Sequence, residues 1–348
     1  MTVTGYCLEW QINRGGSARD LIVEPLKKYA DVQLKGWNGA AWPGDVPGAR
    51  RSCLPVIFSH LPPPPDLLAD TKVRLVWLPM WDHTRKYSQG WWNALPKSLR
   101  IVAFSNAVAN RAKAAGLPTL RLRYFKRPSA FENARWKDGR VLMYWNRTGM
   151  VGPRFLDKFC AALRVDRFFF RSQIDPRIPK GAAYTLPGRL GRTTVEELPA
   201  FMPNAEYLRT LGEANMFIAP RLYEGVGLAF LEALAQGCAV FGFDAPTMNE
   251  YIASGEDGYL LPPFMPSAKN KTLKLLQRGN MFMRRHLGRL GSYGGSRFSH
   301  PITTFQDWPA IKALDLERLG KAARLRHQVG FAEWEKSIPD YARFVLEW

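Results

Sequence analysis

The chain has 348 residues, of which 46% are apolar and 23% charged, and its formal net charge is +19. This composition is that of an ordinary globular chain, and the length is enough for two domains with separate cores. No stretch approaches about 18 uninterrupted apolar residues, and no basic start with an apolar run opens the chain, so we expect neither a membrane span nor a signal peptide.

Four cysteines, Cys7, Cys53, Cys160 and Cys238, are scattered through the chain without C-x-x-C spacing. Paired, metal-binding cysteines usually show such spacing, and disulfides are rare in reducing compartments. We therefore expect buried reduced thiols in a cytoplasmic protein and no zinc site.

Strands and helices alternate along the first half, which predicts α/β layers with parallel sheets. The predicted strands are residues 6–10, 31–34, 54–58, 73–78 and 101–104, and the predicted helices are residues 18–29 and 107–115. A glycine turn, Gly15-Gly16, precedes the first helix, while His60 and His83 follow the third and fourth strands.

The second half begins after residues 127–140, which lack periodicity and are interpreted as a linker between domains. Its predicted strands are residues 141–145, 168–170, 215–219 and 238–243, with helices at residues 206–213 and between Gly227 and Gly237. Residues 264–310 are basic and glycine-rich, and we interpret them as a long excursion before the last helices.

Positive charge is concentrated in residues 265–330, which hold 13 Lys or Arg against three acidic residues, a net of +10. Such a surface attracts anionic lipid headgroups, nucleic acid or a phosphorylated substrate, unless it is only a solubilising face. No RNP-type, zinc or helix-turn-helix pattern accompanies it, so nucleic acid is not the expected partner.

Two acidic residues, Glu224 and Glu232, bracket a glycine turn at the start of the helix that follows strand 215–219. The turn, Gly225-Val226-Gly227, brings free N–H groups to a helix N-terminus, which is a site for an anion. A nucleotide sugar fits this arrangement, with its diphosphate at the turn, one carboxylate on sugar hydroxyls and the other on the ribose diol. The alternative is an ordinary βα unit with solvated acids, because Gly-x-Gly after a strand is a weak signal.

Residues 141–263 resemble, in order along the chain, the family-4 type of retaining glycosyltransferases, which have the GT-B fold. Trp145-Asn146-Arg147 stands where that family has a strand followed by Gly-Arg, and Glu224 and Glu232 match its E-x7-E motif. Two further matches follow the family's order. Glu196-Glu197-Leu198 and residues 211–220 look like its helix and strand before the acidic turn, and residues 238–240 and 249–261 look like its closing strand, helix and turn.

The resemblance implies two Rossmann-like domains that face a cleft. Residues 1–130 would bind the acceptor, residues 131–334 would bind the nucleotide sugar, and a helix at about residues 335–348 would pack back on the first domain. The glycine turn Gly15-Gly16 would then be an acceptor-domain loop.

The resemblance also assigns roles to individual residues. The donor would be held by Arg147, Arg154, Glu224, Gly225, Val226, Gly227 and Glu232, and the catalytic group would comprise His83, Glu224 and Arg147, with His60 as the rival of His83. The family's usual phosphate-binding Lys is out of register, since Arg154 and Lys158 are the nearest cations, and Arg is not equivalent to Lys there. Arg221 would either add charge near the sugar phosphate or pair with Glu224 at the surface.

The expected reaction is metal-independent transfer of a hexosyl group with retention, from a UDP- or GDP-type donor and without a cofactor. No D-x-D triplet occurs, and arginine with turn amides can neutralise the leaving diphosphate. The acceptor would be a saccharide or a lipid-linked glycan, which the basic region could approach at an anionic membrane. The alternatives are a GT-B nucleotide-sugar epimerase and a non-catalytic basic binding or scaffold protein.

Overall fold

The structure of the protein, a computed structural model, describes residues 2–9, 12, 19–37, 55–70, 72–128, 136–147, 151–173, 184–200, 202–262 and 307–348. Gly15, Gly16, Cys53 and residues 263–306 lie outside these ranges, so the predicted glycine turn and most of the predicted basic excursion are not described.

Six described strands form a first, wholly parallel sheet in the order β2-β1-β3-β4-β5-β6. They are β1 (Thr2–Cys7), β2 (Asp31–Gly36), β3 (Val56–His60), β4 (Leu75–Pro79), β5 (Arg100–Ala103) and β6 (Thr119–Arg121). Every residue of β4 is buried, as expected for a central strand that is covered on both faces.

Seven further strands form a second sheet in the order β13-β12-β11-β7-β8-β10-β9, parallel except for the β9–β10 pair. They are β7 (Val141–Asn146), β8 (Arg167–Ser172), β9 (Arg189–Leu190), β10 (Thr193–Leu198), β11 (Met216–Ile218), β12 (Ala239–Phe243) and β13 (Tyr259–Leu261). The two sheets confirm the predicted α/β architecture of two Rossmann-like units.

Helices connect the parallel strands, as crossover connections require. They are α1 (Glu24–Leu26), α2 (Pro65–Ala69), α3 (Trp81–Thr84), α4 (Gln89–Asn93), α5 (Asn106–Ala114), α6 (Pro153–Leu163), α7 (Asn204–Glu213), α8 (Leu228–Gln236), α9 (Met248–Tyr251), α10 (Trp308–Lys312) and α11 (Leu316–Leu346). None of the helices in these ranges is long and apolar enough to cross a bilayer.

The last helix, α11, connects the two units. It begins at Asp315, whose side chain accepts a hydrogen bond from the Arg318 N–H at 3.1 Å. Its first turns pack against α8 and β12, and its last turns reach α1 and the residues just before it, where the Tyr341 hydroxyl donates to the Leu21 carbonyl at 2.9 Å. The predicted return of a C-terminal helix to the first unit is confirmed, although the helix starts earlier than expected.

Several sequence-based predictions of local structure differ from the structure. The first strand, predicted at residues 6–10, lies at Thr2–Cys7. Residues 18–29 were expected to be one amphipathic helix, but the described part is a π-helical turn, Arg19–Val23, followed by the short α1. Glu196 to Leu198, matched to a helix, lie on strand β10, where only the two ends of the strand are buried. The predictions also missed β6 and α6.

Three of the cysteines, Cys7, Cys160 and Cys238, are free and buried. Burial raises the pKa of Cys7 to about 11 and that of Cys160 to about 12, so both stay protonated thiols near neutral pH. Within the described ranges, no three His, Cys, Asp or Glu side chains gather as metal ligands would.

Candidate functional site

The turn between β11 and α8 is built by two glycines at the carboxyl edge of the second sheet, where ligands bind in parallel α/β folds. Gly227 has φ +82°, and a Cβ there would lie 1.9 Å from the Phe230 ring, so only glycine fits. Helix α8 starts at the next residue and ends at Gln236, and Gly237 after it is also left-handed with φ +80°. The strand, glycine turn and helix N-terminus predicted around Glu224 are therefore present.

Glu224 lies in this turn and is largely buried, with 9% of its side chain exposed. Arg221 Nη1 lies 3.9 Å from a Glu224 carboxylate oxygen and 3.4 Å from Asp82 Oδ2, which belongs to α3 of the first unit. Thr247 donates to the Glu224 backbone carbonyl at 2.7 Å. Arg221 is therefore a mostly buried bridge between the two units and not an exposed surface residue.

Gly225 forms the close contact between the turn and the first unit. A Cβ at Gly225 would lie 2.8 Å from Met80 Cβ and 3.0 Å from Asp82 Oδ1. The segment that follows β4 therefore contacts the glycine turn directly, and any side chain at position 225 would push the two segments apart.

His60 and His83 occupy one place in the cleft wall, with ring centroids 5.5 Å apart. His83 lies in α3 with Nε2 3.8 Å from Asp82 Oδ2, and His60 ends β3 with φ +70° and Nδ1 2.8 Å from Ser59 Oγ. Burial, followed by the neighbouring His83 and Arg221, lowers the pKa of His60 to about 3, so this imidazole is neutral at physiological pH. The two candidate catalytic histidines therefore lie side by side.

Glu232 projects from the second turn of α8 and is 8% exposed. Its Oε1 forms an ion pair with Lys126 Nζ, which comes from the segment that follows β6. Burial raises the pKa of Glu232, Lys126 opposes that rise, and Asp20 adds to it. The buried Tyr207 of α7 faces the same carboxylate, and its hydroxyl favours the ionised form of Glu232.

Two arginines share one tryptophan at the ends of β7 and β8. Arg147 lies with its guanidinium 4.6 Å from the Trp145 ring centre, and Arg171 lies 4.2 Å from the same ring. Arg171 also donates to the Ala200 carbonyl at 2.6 Å and 3.1 Å and to Gln173 Oε1 at 2.8 Å. Burial lowers the pKa of Arg171, and the nearby Arg147 lowers it further while Tyr207 opposes this. The sequence predictions missed Arg171, although it directly follows the predicted strand 168–170.

The predicted Arg154 is less closely tied to this cluster. It lies exposed in the first turn of α6, and Lys158 is exposed one turn later. No hydrogen bond or ion pair between described residues joins Arg154 to Arg147 or Glu224. Its assignment as a donor ligand stays a prediction.

A family model matches the part of the chain that holds the acidic turn. Residues 197–290 match the family model described as Glycosyl transferases group 1, and this region includes Glu224 and Glu232. The GtfA subunit of the UDP-N-acetylglucosamine–peptide N-acetylglucosaminyltransferase of Streptococcus pneumoniae is 33% identical over 60 residues, which cover 17% of this chain and 12% of that relative. The match therefore spans a small part of either protein.

Solved structures resemble the chain over almost its full length. Sucrose-phosphate synthase from Thermosynechococcus elongatus superposes with a TM-score of 0.60 at 14% identity, covering 99% of this chain and 98% of that one. HepE from Anabaena, in complex with UDP-glucose, gives a TM-score of 0.53 at 12% identity over 98% and 99% of the two chains. At such low identities the similarity shows the fold, which is the GT-B fold predicted from the sequence.

Proposed function

We propose that this protein is a retaining, metal-independent glycosyltransferase that moves a hexosyl group from a UDP- or GDP-type donor to a saccharide or lipid-linked glycan. The observation that carries the proposal is the meeting of two sets of groups across one cleft. Glu224 and Glu232 flank the glycine turn in the group 1 domain, and His60 and His83 approach it from the other sheet.

The donor would lie along the carboxyl edge of the second sheet. Its diphosphate would bind the turn amides at the start of α8, where a helix N-terminus favours an anion, with Arg147 and Arg171 beside it. Glu232 would accept hydrogen bonds from the ribose diol, and Glu224 from hydroxyls of the sugar. The name of the pneumococcal relative and the ligand of HepE make UDP sugars the first donors to test.

The proposed chemistry breaks the bond between the anomeric carbon and the diphosphate oxygen and forms a bond from that carbon to the acceptor hydroxyl oxygen. The acceptor's proton passes to the departing phosphate oxygen on the same face, so no separate protein base is required. Arginine and backbone amides would stabilise the growing negative charge. His60, neutral in this setting, and His83 would orient the sugar and acceptor hydroxyls.

The acceptor would be brought to the cleft at an anionic membrane or from solution. Part of the basic region's charge is already paired, since Lys321 lies 2.8 Å from Glu317 and Arg326 lies 3.8 Å from Asp257. Liposome flotation with and without anionic lipid would test membrane contact. Salt-sensitive binding to anionic vesicles would support it, and equal behaviour on neutral vesicles would exclude it.

The proposed function is tested by screening nucleoside diphosphates for binding and then incubating sugars of the best nucleotide with acceptors. Glu232→Ala should weaken nucleotide binding by about 10- to 100-fold, because hydrogen bonds to charged groups contribute about 1.5–3 kcal/mol. Glu224→Ala should abolish turnover with a smaller loss of nucleotide affinity. The exposed Glu256→Ala serves as the control and should change neither.

If Glu224→Ala instead weakens nucleotide binding and Glu232→Ala abolishes turnover, the roles assigned to the two acids are exchanged. Epimerised donor without transfer would favour the epimerase alternative, and absence of nucleotide binding would overturn the donor site.

A further inference from the structure

Lys126 reaches the group 1 domain from the opposite side of the cleft. It lies on residues 122–128, which follow β6 of the first sheet, and its ammonium pairs with Glu232 of α8. The flanking backbone is held in place, because the Tyr124 N–H donates to Tyr251 Oη at 3.2 Å and the Phe125 ring packs edge-on against Tyr251 at 5.1 Å. The ion pair is therefore a built contact between the two units.

Several titratable groups surround the Glu232 carboxyl, and Lys126 is the cation among those that act on its pKa. Asp20 approaches from the π-helical turn after β1, Tyr207 from α7, and Tyr124 from the same segment as Lys126. Asp20 and Tyr124 interact with each other, and Lys126 also stabilises the ionised form of Asp20. Burial and Asp20 both favour a protonated Glu232, whereas Lys126, and after it Tyr207, favours the carboxylate.

The protonation state of Glu232 decides what it can bind. An ionised carboxylate only accepts hydrogen bonds and offers about four lone-pair sites, whereas the protonated acid presents a competing donor. Lys126 contacts one oxygen, Oε1, so sites remain for two vicinal hydroxyl donors. A lysine placed here keeps an acid in a buried position ready to bind a diol.

We propose that Lys126 is a positioning residue for donor recognition, which holds Glu232 ionised and oriented for the ribose hydroxyls. The inference rests on the proposed donor site and adds that nucleotide recognition needs both units, since the cation comes from the first-sheet side and the carboxylate from the second.

The test measures UDP and 2′-deoxy-UDP binding by calorimetry between about pH 6 and pH 9, in wild type, Lys126→Met, Lys126→Arg and Glu232→Gln. Lys126→Met should bind UDP at least about tenfold more weakly at the acidic end and recover toward wild type as the pH rises, because each unit of pKa change is tenfold in protonation. Lys126→Arg should retain the wild-type profile. The exposed Lys113→Met on α5 should behave as wild type.

The preference for UDP over 2′-deoxy-UDP should disappear in Glu232→Gln, and in Lys126→Met at low pH. Adding Lys126→Met to Glu232→Gln should cause no further loss, since the lysine acts through the acid. This double variant does not leave a buried Glu232 carboxylate without its lysine, so it also serves if Lys126→Met alone does not fold.

The inference is overturned if Lys126→Met binds UDP as wild type at every pH, or if its loss is equal at every pH and arginine does not rescue it. Wild-type protein that binds neither UDP nor GDP would instead overturn the donor site itself, and the inference with it. If wild type binds UDP and Lys126→Met binds it equally well at every pH, the donor site stands and only the inference about Lys126 is overturned.

Discussion

His327 is a buried side chain that stands apart from the cleft chemistry. It lies within α11 with no exposed surface, and neither ring nitrogen has a hydrogen-bond partner among the described residues. Its ring packs edge-on against Phe125 at 5.6 Å. Burial lowers its pKa from 6.5 to about 4, so the folded protein holds a neutral imidazole that the unfolded chain would protonate.

His327 should therefore make the protein sensitive to acid. Between pH 6.5 and about 4 the unfolded chain binds the extra proton, so the stabilisation present above pH 6.5 is lost as the pH falls. The loss should reach roughly 3 kcal/mol, from about 1.4 kcal/mol per pKa unit. His327→Leu cannot titrate, and denaturant titrations should show a shallower decline in unfolding free energy across this window. Equal slopes in the two proteins would contradict the assignment, because His60 titrates equally in both.

Side chains in the cleft show how far a sequence can predict a site. Glu224, Glu232 and the glycine turn were found because they form one local pattern in which spacing alone is informative. Their partners were not, because Lys126 is 106 residues from Glu232 and Asp82 is 139 residues from Arg221. Nothing in either local segment marks such a pairing, which exists only once two sheets face each other.

Helix α11 approaches its neighbours closely at two glycines. A Cβ at Gly320 would lie 2.3 Å from the Gly237 carbonyl oxygen and 2.9 Å from the Trp136 side chain. A Cβ at Gly330 would lie 2.2 Å from the Phe125 ring. Backbone contact of this kind lets one helix pack on the end of α8 and on the first unit.

Gly320→Ala should therefore destabilise the protein even though alanine favours helices. The helix gains about 1 kcal/mol from the substitution, but overpacking against a backbone carbonyl costs about 1–3 kcal/mol or more. Gly90→Ala in α4, where the nearest atom is 3.7 Å away, is the matched control and should stabilise or be neutral. Thermal unfolding compares the two, and a stabilised Gly320→Ala would show that α11 shifts freely.

The elements themselves were predicted unevenly, for a physical reason. Strands β4 and β12 are buried at every residue, and β3 and β7 begin with three and four buried apolar residues, so composition alone indicates them. Strand β10 has four partly or fully exposed residues and only its ends buried, so its sequence lacks that signal. Its strand conformation depends on pairing with β8, a contact that local sequence does not encode.

Trp334, at the centre of α11, holds this helix against the first unit. It is 4% exposed, and its ring lies 5.2 Å from Tyr124 and 6.3 Å from Tyr341. Phe104, at the end of β5, lies 6.4 Å away. Helix α11 thus packs on the first unit at Trp334, while its first turns pack on the second unit.

Trp334→Ala should weaken this connection more than either core. Truncating a buried tryptophan costs about 3–5 kcal/mol, and here the cost falls on the contact between units. Calorimetry should then resolve two unfolding transitions where wild type shows one. Leu325→Ala, at a 62% exposed position of the same helix, should change stability by less than about 0.5 kcal/mol. If Trp334→Ala instead unfolds in one transition at a lower temperature, contacts other than those of Trp334 couple the unfolding of the two units.

The hydrogen bond from Tyr341 to Leu21 joins positions 320 residues apart. During synthesis, every strand of the first sheet leaves the ribosome long before the last turns of α11, which cover part of this unit, have been made. Loops of that length close slowly, because non-local contacts form only after a large loss of chain entropy. During translation the nascent protein is therefore expected to present the apolar surface around Leu21 and Ile22 to chaperones, and to become protease-resistant in a late, single step.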